Sequence, residues 1–113
     1  MRLPDGIGAS VMPSLRRTGA IALPSLRQNI ERQRYEFDVD GATAIAVYRP
    51  SPGVLTFTHT EVPAALRGQG IGSRMMRAVL DDVRAQGLKV VPRCPFVADF
   101  VERNPEFVDL LAS

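Results

Sequence analysis

Apolar and polar residues along this chain follow two different periods, and the period changes just after Pro63. Tyr35, Phe37 and Val39 alternate with Glu36, Asp38 and Asp40, the period-two pattern of a half-buried strand. Asp40-Gly41 then predicts a tight hairpin, because both central residues of a type I′ turn need positive φ. A second strand is predicted from about Ala42 to Tyr48, with Pro50-Ser51-Pro52-Gly53 as the next turn. A third, rich in β-branched and aromatic residues, is predicted from Val54 to Val62. From Ile71 the period becomes helical: Ile71, Met75, Met76, Val79, Leu80 and Val83 share one face, and Arg74, Arg77, Asp81 and Arg84 lie off it. Gly87 suits the position just past the helix end. Leu88 to Pro92 reads as a short strand reached by a crossover. Pro95 suits the first turn of a second helix with Phe96, Val97, Phe100 and Val101 on its apolar face, and Asn104-Pro105 stops it. The predicted order is β-β-β-α-β-α, a mixed α/β (α+β) sandwich on a mostly antiparallel sheet.

Residues 1–30 carry no such period. Pro4, Pro13 and Pro24, with Gly6, Gly8 and Gly19, interrupt any regular element, so they are expected to form a flexible extension ahead of a domain over residues 31–113. Six arginines stand in residues 1–34 against Asp5 and Glu31, whereas the rest of the chain is mildly acidic and the whole carries +2. An Arg-rich, acid-poor start shares its character with organellar transit peptides; a plain tail, or a start codon placed ahead of Met12, is the simpler expectation.

Composition narrows the classes. At 113 residues, 45% hydrophobic and 23% charged, the chain has the make-up of one globular domain. No apolar run approaches the roughly 20 residues that span a bilayer. A single cysteine, with no CxxC and no His/Cys cluster, leaves neither an internal disulfide nor a metal site to expect, and a reducing, cytoplasmic location fits. Nucleic acid is not an expected partner, since the basic segment lacks interleaved aromatics.

The most informative stretch is Arg67-Gly68-Gln69-Gly70-Ile71-Gly72, between the third strand and the first helix. Glycine there lets a ligand approach the backbone, and the first amides of a helix have no internal partner, so together with the helix dipole they favour an anion. Arg74 and Arg77 in the opening turns go against the dipole, a local rule broken where a bound polyphosphate would reverse the sign of the cost. A P-loop would need Lys followed by Ser or Thr after its last glycine, and Ile71 and Ser73 stand in the way. A dinucleotide fingerprint would need glycine at 73 and an acidic residue about 20 positions on, and has neither. Spacing alone leaves open a turn whose glycines serve only tight strand-to-helix packing.

With Val62-Pro63 before it and an amphipathic helix after, Arg-Gly-Gln-Gly-Ile-Gly resembles the (Gln/Arg)-x-x-Gly-x-(Gly/Ala) motif of the GNAT acetyltransferases. Phe57-Thr58-His59-Thr60-Glu61-Val62-Pro63 leading into Leu66-Arg67-Gly68, and Val91-Pro92-Arg93-Cys94-Pro95-Phe96 with its helix, resemble a small, minimal GNAT-like family of single domains. The resemblance covers about residues 34–111. It implies a GNAT-like sheet with the cofactor-site helix after the third or fourth strand, and acetyl-CoA as co-substrate. The pyrophosphate would lie on the amides of Gly68, Gln69, Gly70, Ile71 and Gly72, with Arg67 and Ser73 at the edge. The pantetheine arm would pair with Glu61 and Val62. Larger members carry further strands after the second helix, which this sequence does not hold.

Three residues are candidates for the chemistry. Simple alternation would put Leu55, Phe57, His59 and Glu61 on one strand face, so that His59 and Glu61, side by side near the glycine segment, could accept a proton from an attacking ammonium. The other reading of His59 is a partly buried strand residue paired with Glu61. Cys94, at the cap of the second helix beside Arg93, has a setting that favours the nucleophilic thiolate, although lone cysteines are commonly inert core residues. The expected function is an acetyl-CoA-dependent N-acetyltransferase acting on an amine of unidentified class; the alternative is a non-enzymatic acyl-CoA-binding or sensing module. Expected partners are an acyl-CoA, an amine acceptor and a second copy of the chain; a membrane is not among them.

Overall fold

Turn chemistry places the first three connections. The computed structural model describes residues 24–112. Strand β1 (Ser25–Asn29) returns through Ile30–Gln33 into β2 (Arg34–Val39). Asp40 (φ 48°) and Gly41 (φ 82°) supply the two positive φ angles of the next hairpin, which leads to β3 (Ala42–Ser51). Pro52-Gly53 turns the chain into β4 (Val54–Glu61). A single 3-10 turn (Ala64–Leu66) and the glycine segment lead to helix α1 (Ile71–Ala85), which ends at Gly87 (φ 73°). Strand β5 (Lys89–Pro92), helix α2 (Pro95–Arg103) and a 3-10 segment (Pro105–Leu110) complete the described chain.

The sheet order is β1-β2-β3-β4-β5, antiparallel throughout except that β5 runs parallel to β4, with α1 as the crossover. The mixed α/β, mostly antiparallel architecture expected above is the one observed, with α1 after the fourth strand. Tyr35, Phe37, Ala44, Ala46, Tyr48 and Phe57 face the helices and close a core with Met75, Met76, Val79, Leu80 and Val83 of α1 and Val97, Phe100 and Val101 of α2. Tyr35, Tyr48 and Phe57 form an aromatic centre with ring centroids 5.8–6.4 Å apart.

The expected boundary at residue 31 moves toward the amino terminus, because Ser25–Asn29 pairs along β2. Side-chain bonds from Arg27, Gln28 and Asn29 hold it there. Arg27 forms a two-pronged pair with Asp38 (2.8 and 3.1 Å) and a salt bridge to Glu36 (2.8 Å), which Arg34 also meets at 2.8 Å. The Arg34 hydrogen bond holds the Glu36 carboxyl below its usual range, with Asn29 and Arg27 adding to the effect. On the other face Gln28 donates to the Tyr48 hydroxyl (2.9 Å) and accepts from Gln86 at the end of α1 (2.9 Å). The Tyr35 hydroxyl donates to Asp82 at 2.6 Å, and burial followed by that bond pushes the phenol far above its ordinary value. The expectation of a flexible extension over residues 1–23 lies outside the described residues.

Candidate functional site

Backbone conformation sets up the start of α1. Gly68 (φ 79°) and Gly70 (φ 70°) both occupy left-handed conformations that L side chains rarely adopt. A Cβ at either position would meet nothing within 4 Å, so conformation rather than crowding demands glycine there. Gly72 differs. A Cβ on it would lie 2.9 Å from Phe96 Cζ, so the third glycine serves close packing of α1 against the start of α2. The packing reading thus holds at Gly72, whereas Gly68 and Gly70 answer to backbone conformation. Arg67 Nε donates to the Val62 carbonyl (3.2 Å) and Gln69 Nε2 to the Ala65 carbonyl (3.2 Å), which ties the loop to the end of β4 and to the 3-10 turn.

Gly70 caps α1 without any side-chain hydrogen bond, and no acidic residue stands in the first turn. The first bond closing the helix runs from Arg74 N–H to Gly70 O (3.1 Å), so the amides of Ile71, Gly72 and Ser73 have no helical acceptor. They border an open groove of about 240 Å³ lined by Val62, Leu66, Arg67, Gly68, Gly70, Ile71, Gly72, Ser73 and Phe96. A second, smaller cavity of about 50 Å³ adjoins it through Ser73 and Phe96 and continues along α2 to Asp99 and Arg103. Arg77 is not free to meet an anion here. Its guanidinium donates to Glu106 and Asn104 (2.8 Å each) and lies over the Phe107 and Phe100 rings (5.4 and 5.8 Å), so its position against the dipole answers to a clamp on the chain beyond α2. Arg74 is exposed and lines a depression of about 480 Å³ with Pro24 and Phe37.

Two features of β4 shape the rest of the site. Strand β5 pairs with β4 only as far as Phe57, whose carbonyl accepts from both Arg93 N–H (3.0 Å) and Cys94 N–H (2.9 Å). Beyond it Thr58–Glu61 runs on with no described strand on that edge. The second feature is a bulge: Val47 opposes His59 and the next residue, Tyr48, opposes Phe57, so Thr58 is inserted without a partner. One extra residue reverses the alternation. His59 and Glu61 therefore do not share a face with Leu55 and Phe57, as simple alternation predicts; they project from the opposite, helix-free face, and Thr60 takes the inward direction.

His59 Nε2 lies 3.2 Å from Glu61 Oε2, and the side chains are 57% and 66% exposed, so the pair is formed but His59 is not partly buried. Cys94 is buried at the cap of α2, with its Sγ 3.7 Å from the Thr60 hydroxyl. The sheet thus separates the thiol from the His59–Glu61 pair. Thr60 and Phe96 escaped the sequence reading. A bulge leaves no trace in composition, and Phe96 looked like an ordinary member of an apolar helix face. Among the described residues no group of His, Cys, Asp or Glu could hold a metal ion, and no helix is long and apolar enough to cross a membrane.

A family model described as GCN5-related N-acetyl-transferase matches residues 34–110. Protein NATD1 of Mus musculus is 34% identical over 86 residues, covering 71% of this chain and 77% of that protein. Protein NATD1 of Homo sapiens is 33% identical over 86 residues, with coverage of 71% and 75%. Among solved structures, the NMR solution structure of a GCN5-like protein from Staphylococcus aureus superposes with a TM-score of 0.60 at 25% identity, covering 79% of this chain and 88% of that one.

Proposed function

The chain belongs to the GCN5-related N-acetyltransferase family, and on that premise we propose that it binds acetyl-CoA at the glycine segment and transfers the acetyl group to an amine. The observation that carries this reading is the start of α1: three amides without a helical acceptor, no cap and no acid, behind two positive-φ glycines whose missing side chains leave the groove open. The helix dipole and these N–H groups suit the pyrophosphate. Gly68, Gln69, Gly70, Ile71 and Gly72 would hold it, with Arg67 and Ser73 at the rim. The unpaired edge of β4 at Glu61, continued by Val62, presents backbone groups to an amide-bearing arm, much as a sheet edge receives a strand.

Acetyl-CoA supplies a thioester whose carbonyl carbon is open to an amine. The chain's own part is to hold the cofactor and to take a proton from the amine. The His59–Glu61 pair is the candidate acceptor, because it lies beside the free stretch of β4 and is open to solvent. The burial of Cys94 supports direct transfer, with the thiol packed against Thr60 rather than presented as a nucleophile. Its unpaired state suits a reducing, cytoplasmic location.

A second reading, an acyl-CoA-binding module without turnover, draws on the exposure of His59 and Glu61, since neither lines the glycine-segment groove. Calorimetry with coenzyme A, followed by release of free thiol in the presence of amines, separates the readings. Binding with turnover supports the transferase, and binding without turnover supports the module. A Gly70→Val variant that binds coenzyme A as well as the wild type would remove both.

A further inference from the structure

The helices cover one face of the sheet and leave the other bare, and the proton-accepting pair stands on the bare side. Every buried strand residue that meets α1 or α2 comes from the covered face. On the opposite face the strand register lays out two rows beside the bulge: Glu36, Ile45 and Glu61 in one, Arg34, Val47 and His59 in the next. Ile45 and Val47 are half-buried, yet neither belongs to the core cluster nor packs against it. Val91 lies on the same face of β5, across Thr56 from the exposed Arg49. No described element lies over these residues.

Building on the transferase reading, we infer that the acceptor is an amine carried by a polypeptide, a lysine side chain or an amino terminus, that docks along this bare face across Val47 and Ile45 to reach Glu61. Two physical points favour a polypeptide over a free small amine. Sites for small molecules enclose about 70–90% of the ligand surface, and His59 and Glu61 are more than half exposed on a sheet face with no described wall around them. An extended partner supplies its own contact area along a sheet, and its lysine stem can lie on aliphatic side chains while the ammonium reaches a carboxylate. The carboxylates of the face differ in their partners. The Glu36 carboxylate is already met by Arg27, Arg34 and Asn29, whereas among the described residues the Glu61 carboxylate meets His59 alone and is the one left to meet an ammonium. In the transfer the amine nitrogen bonds to the acyl carbon as the carbon–sulfur bond breaks. The ammonium first gives one proton to the His59–Glu61 pair and through it to water; the nitrogen's second proton goes to the departing thiolate, so that coenzyme A leaves as the thiol.

The test uses the full chain, acetyl-CoA and a pool of capped nonapeptides randomised around one central lysine, against Nα-acetyl-lysine amide and spermidine. The pool should be acetylated with kcat/KM at least about 100-fold above either small amine. Val47→Asp should raise KM for the pool about tenfold with a smaller change in kcat, and Val47→Ile should restore it. The milder Val47→Thr should give the same direction if the aspartate variant folds poorly. In a separate readout without coenzyme A, the pool should shift the NMR amide signals of Ile45, Val47 and His59. Small amines turned over as efficiently as the pool, no transfer to any amine while coenzyme A binds, or peptide shifts confined to the helix-covered side would each overturn the inference. Failure to bind coenzyme A would count against the transferase reading instead, and the peptide shifts would still decide whether this face receives a polypeptide.

Discussion

Helices α1 and α2 begin alike on paper and differently in space. Both start without a side-chain cap and without an acid in the first turn. At α1 the cap is Gly70, and the amides of the first turn open onto a groove of about 240 Å³. At α2 the cap is Cys94, whose own N–H is spent on the Phe57 carbonyl (2.9 Å) and whose side chain is buried; Pro95 then contributes no N–H at all. One start opens onto a groove, and the cap residue of the other is bonded to the sheet.

The contrast can be broken most sharply at Gly70. Valine there should weaken coenzyme A binding by about 100-fold or more by calorimetry, because it forces a new side chain and a strained backbone on the groove. The fold should persist, since the strain costs only ~1–2 kcal/mol. The next effect in size is at Arg67, whose Nε bonds the Val62 carbonyl and whose other nitrogens have no partner among the described residues. Arg67→Ala should lower the affinity by ~1–3 kcal/mol, the range of a charge-assisted bond.

Substitution at the start of α2 should do the reverse. Cys94→Ala should cost ~1 kcal/mol of stability through lost packing, seen as a fall of several degrees in Tm, and should leave coenzyme A affinity nearly unchanged. Iodoacetamide labelling of the folded protein should be slow. Fast labelling that coenzyme A blocks would instead make Cys94 part of the acyl site.

The smallest expected effect is on the clamp between α1 and the 3-10 segment beyond α2. The hydrogen bond from Arg77 holds the Glu106 carboxyl below its usual range, and Arg84 does the same for Asp109. With folded values below unfolded ones, these pairs stabilise the fold above the ordinary carboxylate range, and the contribution is lost as pH falls through the folded values. The Tm difference between wild type and Glu106→Gln should therefore be present at neutral pH and close on acidification.

The elements that were legible in advance rest on local constraints. Asp40-Gly41 announced its hairpin because few other pairs accept two positive φ angles, and the apolar stripe from Ile71 to Val83 needs only its own spacing to read as a helix. The glycine segment was legible as a place of special backbone, but which glycine served which purpose was not. Gly72 differs from Gly68 and Gly70 only through Phe96, a residue of another helix. Strand β1 was missed because Pro24 precedes it and its alternation is weak: Leu26 and Gln28 turn toward the core, and Gln28 is satisfied only by Tyr48 and Gln86.

The sequence by itself determined the order of elements from β2 onward, the turns, the glycine-lined start of α1 and the family. The family rests on the resemblance of its motifs; each of the others depends on φ preferences or side-chain periods within a few residues. Tertiary structure decided which amides stay free, which face His59 and Glu61 occupy, whether Cys94 is exposed and where Arg77 finds its partners. A single unpaired residue, Thr58, reverses a strand's faces, and Arg77 meets a carboxylate 29 residues away. Such outcomes depend on pairing between distant segments, which no local period encodes.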